Sequence, residues 1–201
     1  MTARETIFAG IKSALAPLPQ REPRPNVPRG VADAQWLADE TDNVALFTKR
    51  ATAVGTRVFA SSRDCLSWLF ESGATKVYIP ESMRDVTAEF PGIAEVVHEY
   101  SRAQVDEIDA ALTPAAGAIA ESGTIILTDE STPDRLAALA PWTHIAVVRR
   151  DTIHRSIADA LAFMPDDPNI IWATGPSKTA DVEGILIEGV HGPGVQGCLL
   201  V

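Results

Sequence analysis

The residues of this 201-residue chain that could do chemistry gather in two short stretches. In TGPSKTADVEGILIEGVHGPG (174–194), a Gly175-Pro176 turn leads into Ser177, Lys178 and Thr179, two hydroxyls and an ammonium suited to holding an anion. Asp181 and Glu183 follow, and His191 stands between Gly189-Val190 and Gly192-Pro193. In AIAESGTIIL (118–127), the polar group Glu121, Ser122 and Thr124 surrounds Gly123. Glu121, Glu183 and His191 are the candidates for moving a proton. Ser122, Gly123, Thr124, Gly175, Pro176, Ser177, Lys178, Thr179, Asp181 and Gly192 are candidates for binding a ligand.

Two nucleotide motifs are suggested by the letters and fail on their chemistry. A phosphate loop needs a glycine directly before its Lys-Ser/Thr pair so that successive amides wrap the phosphates, whereas Lys178 follows Ser177. Gly192, Gly194 and Gly197 satisfy a dinucleotide fingerprint, which requires a helix after it; only four residues remain. Ser122 lacks the glycine-flanked elbow of a serine hydrolase. The four histidines, at 98, 144, 154 and 191, have no metal-ligand spacing, so no metal site is expected. His144, at the start of a β-rich run, reads as structural.

The elements that must position these residues follow from periodicity. TRVFA (56–60), a helical run, and TKVYIP (75–80) alternate as strand, helix and strand. THIAVV (143–148), a second helical run, NIIWAT (169–174) and the terminal CLLV repeat that logic. Such alternation predicts an α/β fold, a mostly parallel sheet with helices on both faces. AGAIA and TIILT predict a hairpin or strand pair whose linking turn, Glu121-Ser122-Gly123, faces the ligand side. A helix is expected to open near Thr179, with Thr179 as its cap and Asp181 complementing its dipole. Val182, Ile185, Leu186, Gly189 and Val190 would then form its core-facing stripe. That arrangement places Ser177, Lys178 and Thr179 at the carboxyl end of a strand, where open α/β sheets bind ligands. It also allows a purely structural alternative, in which Lys178 pairs with Asp181 or Glu183.

Upstream, Ile7, Ile11, Ala14 and Leu15 give the N-terminus an amphipathic rhythm. Five prolines in residues 17–30 then read as an extended tether, and Trp36, Leu37, Val44 and Phe47 share a helical face. The expected organisation is therefore a helix and tether over 1–30 and one domain over 31–201. A net charge of −10 argues against a nucleic-acid partner. No apolar run is long enough for a membrane span or shaped like a signal peptide, so a cytoplasmic protein is expected. The two cysteines, Cys65 and Cys198, cannot by themselves ligate an iron–sulfur cluster.

AIAESGTIIL, RLAALAPWTHIAVV and GPSKTADVEGILIEGVHGP, in that order, closely resemble the lactate-utilisation (LUD) domain family, over about residues 30–201. The resemblance implies a fold similar to the ribose-phosphate isomerase, glucosamine-phosphate deaminase and CoA-transferase group. It implies a cytoplasmic role in oxidising L-lactate to pyruvate, as a subunit without cofactor beside partner subunits that carry iron–sulfur clusters. The family motif falls on Gly175, Pro176, Ser177, Lys178, Thr179, Asp181 and Glu183, then on His191, Gly192 and Pro193, with the earlier turn at Glu121 to Thr124. Related sequences often close with Leu-His before the last strand; this chain has Val195-Gln196-Gly197. The fold group also allows a different function, an isomerase- or CoA-transferase-like enzyme. There Ser177 and Lys178 would hold a phosphate, carboxylate or CoA ligand while Glu121 or Glu183 acts as acid or base.

Overall fold

The structure is a computed structural model that describes residues 2–17, 41–87, 93, 95–164, 166–180 and 183–201. The proline tether beyond Pro17, and Trp36, Leu37, Asp181 and Val182, lie outside them. The chain divides into two units, residues 1–33 and 34–201. In the first, helix α1 (Ala3–Leu15) is opened by a capping box in which Thr2 and Glu5 satisfy each other's amides.

In the second unit a six-stranded sheet forms the centre. Its strands are β1 (Arg57–Phe59), β2 (Lys76–Tyr78), β3 (Glu95–Val97), β4 (Ala110–Pro114), β7 (Thr143–Val148) and β12 (Val195–Leu200). All neighbours are parallel, in the order β1-β12-β7-β4-β2-β3. Every residue of β7 is buried, as a strand covered on both faces requires, which is why THIAVV reads as an unbroken β-rich run.

One face of this sheet carries helix α3 (Ser62–Glu71), capped by Ser61, whose Cys65 and Leu69 pack with Val77, Leu112, Ile145 and Leu199. The other face carries helix α2 (Asn43–Ala53), which buries Leu46, Phe47 and Ala51 against Ala146, Val148, Cys198 and Leu200. Beside α2 on that face lies a second sheet, with strands β5 (Gly117–Ile119), β6 (Thr124–Thr128), β8 (Ile153–His154) and β9 (Ile170–Ala173) in the order β8-β5-β6-β9. The hairpin expected from AGAIA and TIILT is β5–β6, with Ile119 opposite Thr124. Short helices α4 (Arg84–Thr87), α5 (Arg135–Leu139) and α6 (Ile157–Phe163) complete the connections.

Three elements differ from the sequence reading. Ala110–Pro114 forms β4 in the middle of the parallel sheet, although its small residues do not mark it as β-rich. β9 does not continue the parallel sheet: β8 diverts the chain onto β5, and β9 then pairs antiparallel with β6. Among the described residues no helix follows Ser177. Lys178–Ala180 is strand β10 and Leu186–Glu188 is strand β11, an antiparallel hairpin with Thr179 opposite Ile187. Gly184 turns with φ +79, a conformation that interrupts a helix. The expected core stripe is instead exposed, Ile185 at 58% and Leu186 at 66%. Thr179 is therefore a strand residue and caps nothing. Among the described residues, no helix is long and apolar enough to cross a membrane.

Candidate functional site

A cavity of about 270 Å³ opens between the two sheets. Its floor is His144 and Gln196, the second residues of β7 and β12, which sit opposite each other in register. Side chains alternate along a strand, so both project to the face that carries Ala146 and Cys198, toward the second sheet. The cavity thus lies at the amino ends of the parallel strands. The loop 174–177 does follow the carboxyl end of a strand, but that strand is β9 of the second sheet.

One wall is built from the end of β9 and the turn after it, Ala173 through Ser177. The opposite rim is His191-Gly192-Pro193. Two backbone bonds tie these segments together: Ser177 N donates to Pro193 O at 2.9 Å, and Gly189 N donates to Ser177 O at 3.0 Å. Apolar side chains of Leu127, Leu139 and Ile171 close the remainder.

The glycines set the walls by letting backbone approach backbone. A Cβ on Gly175 (φ +75) would stand 2.4 Å from Val54 O, just after α2. One on Gly123 (φ +68) would stand 2.4 Å from Ala51 N within α2. Both turns therefore rest on the same helix end, which only a residue without a side chain permits.

Each sequence candidate now has a place. Gly175, Pro176, Ser177, His191 and Gly192 line the cavity together. Ser122, Thr124 and Thr174 form a hydroxyl chain, with oxygen separations of 2.6 and 2.7 Å, and Thr174 reaches the cavity. Glu121 is turned away: its Oε1 accepts from the Ile157 amide at 2.6 Å and so caps the start of α6. Lys178 does not line the cavity; its Nζ lies 3.4 Å from Oε1 of Glu188, its partner across β10–β11. Of the pairings weighed for Lys178 in the sequence, Asp181 lies outside the described residues and Glu183 is replaced by Glu188. Glu183 is exposed in the hairpin turn.

The floor is what sequence reasoning missed. His144 is 1% exposed and fully tied: Nε2 lies 2.8 Å from Thr113 Oγ1, and Nδ1 lies 3.1 Å from Gln196 Nε2. Burial pushes the His144 imidazole down to about 4, so the ring is neutral near pH 7. A signal was present in the sequence. A histidine inside a wholly buried strand must find polar partners, and Gln196 is placed for it by the register of β12.

A larger cavity, about 520 Å³, lies against the opposite face, where Thr143 and Val195 project beside Trp68 and Asp109. The Asp109 carboxylate is already committed there, accepting from the Thr75 amide and hydroxyl and from the Lys76 amide. The smaller cavity gathers the sequence candidates and is the stronger site.

Comparison with known proteins gives the same frame. The model of the LUD domain matches residues 69–201. A lactate utilization protein C of Deinococcus radiodurans is 41% identical over 98 residues, 46% of each chain. One from Bacillus licheniformis is 32% identical over 123 residues, 54% of this chain and 51% of that protein. The chain spans about half the length of these curated relatives. A crystal structure of a DUF162 family protein from Deinococcus radiodurans superposes with a TM-score of 0.57 over 82% of this chain and 98% of that one, at 24% identity, a likeness of fold.

Proposed function

The chain belongs to the LUD domain family, and from that premise we propose that it serves lactate utilisation as a subunit without an iron–sulfur cluster, beside cluster-bearing partners that oxidise L-lactate to pyruvate. The names of its relatives support the lactate assignment. The observation that carries the cluster-free role is the state of the thiols. Cys65 packs on one face of the central sheet and Cys198 on the other, both buried. Burial pushes both thiols up, Cys65 to about 12. Cluster ligation needs thiolates gathered at one point, which these core thiols do not fit.

The test is a gentle tagged purification from native cells grown on L-lactate, reading the visible spectrum and lactate-dependent dye reduction of the eluate. A brown, lactate-active eluate containing cysteine-rich partners, with the separated chain colourless and inactive, is expected. Lactate oxidation by the lone chain would overturn the proposal.

A second reading, that the chain itself binds a small anionic molecule, draws support from the cavity. Among the described residues its lining includes neither Lys nor Arg, so an anionic group would lie toward His191 at the rim and Lys178 would not anchor it.

A further inference from the structure

The floor of the smaller cavity has one polar atom too many for its own partners. Gln196 Nε2 lies 3.1 Å from Gly197 O, which accepts only from a donor, and this fixes which end of the amide is nitrogen. The second hydrogen of that nitrogen points to His144 Nδ1 at 3.1 Å. Nδ1 is therefore an acceptor, and the ring proton sits on Nε2, donating to Thr113 Oγ1 at 2.8 Å. Gln196 Oε1 is left with Nδ1 at 3.4 Å, an acceptor facing an acceptor, which is no bond. Gln196 is only 3% exposed and lines the cavity. A buried carbonyl oxygen without a donor is costly, and a ligand hydroxyl supplies the missing hydrogen.

The rest of the cavity narrows the class. Leu127, Ile171 and Ala173 suit a short alkyl group, and among the described residues the lining includes no Lys or Arg that would draw a carboxylate inward. His191, exposed at the rim, and the half-buried Ser177 are the polar side chains that would face a carboxylate at the mouth. We propose that this cavity binds a short-chain 2-hydroxy acid, whose hydroxyl donates to Gln196 Oε1. The hydroxyl contact stands on the geometry; the choice of a hydroxy acid rests on the lactate reading.

The test is calorimetric titration of the purified full chain with L-lactate, propionate and glycerol, with ¹⁵N-histidine NMR following the His144 ring. L-lactate is expected to bind at least about tenfold more tightly than propionate, which lacks the hydroxyl, and to shift the His144 Nδ1 resonance. Gln196→Leu, checked for an unchanged fold by circular dichroism, should erase that preference while leaving propionate binding as it was. If the variant fails to fold, the lactate-to-propionate comparison on the unaltered chain still decides. Equal affinity for the two acids, binding of neither, or binding of glycerol alone would each overturn the proposal. Co-purification with cluster-bearing partners is a separate readout, so loss of the lactate site and loss of the subunit role are told apart.

Discussion

The two ends of the motif 174–194 and its middle behave as different materials. Gly175–Ser177 and His191–Pro193 are drawn together by the Ser177–Pro193 bond and help wall the cavity. Between them, β10 and β11 form a hairpin whose apolar residues are exposed. One continuous motif therefore serves two tasks. Its ends are fixed by close backbone contact and hydrogen bonds, while in its middle β10 and β11 pair with each other and leave Leu186 and Ile187 exposed.

That contrast can be broken by substitution at two glycines with nearly the same φ. Gly175→Ala puts a Cβ 2.4 Å from Val54 O at φ +75 and should cost roughly 3–4 kcal/mol in urea denaturation, strain plus a clash that backbone must absorb. Gly184→Ala, at φ +79 with nothing within 4 Å, carries only the left-handed penalty of about 1 kcal/mol. Equal losses at both positions would show that the two regions are not distinct.

The cavity floor predicts a pH effect of similar size to the first. Histidine titrates near 6.5 in the unfolded chain, and burial holds His144 down at about 4 in the folded one. Between those values the unfolded chain binds a proton that the folded chain lacks. Stability from this group is full above about pH 6.5 and falls by about 3 kcal/mol as pH drops toward 4. Urea midpoints measured from pH 7 to 4.5 should show this slope, and His144→Gln should flatten that part of it. The smallest effect belongs to the hairpin. Lys178→Ala removes a half-exposed pair with Glu188 and should change stability by no more than about 1 kcal/mol. A larger loss in the melting temperature would mean that the hairpin is tied in more firmly than its exposure implies.

The same contrast explains what could be read in the sequence. The parallel strands were legible at β1, β2, β7 and β12 because burial on both faces leaves β-rich runs. The β5–β6 hairpin was legible because glycine separates two such runs. Residues 182–190 misled because their apolar spacing matches a helix turn for turn, yet spacing carries no information about whether the face is covered. Here Gly184 interrupts the helix and the apolar side chains meet solvent. The cavity's rim was legible from Gly175 to Ser177 and from His191 to Pro193. Its floor was not, because His144 and Gln196 are 52 residues apart and meet only through the pairing of β7 with β12.

That the motif's ends close over a neutral floor with an acceptor to spare is tested by the tautomer of His144, read by long-range ¹H–¹⁵N correlation in the ligand-free chain at pH 7. The ring is expected to be neutral, with its proton on Nε2 and Nδ1 bare. A charged ring, or a proton on Nδ1 that could satisfy Gln196 Oε1, would contradict it and remove the reason for a hydroxyl-bearing ligand.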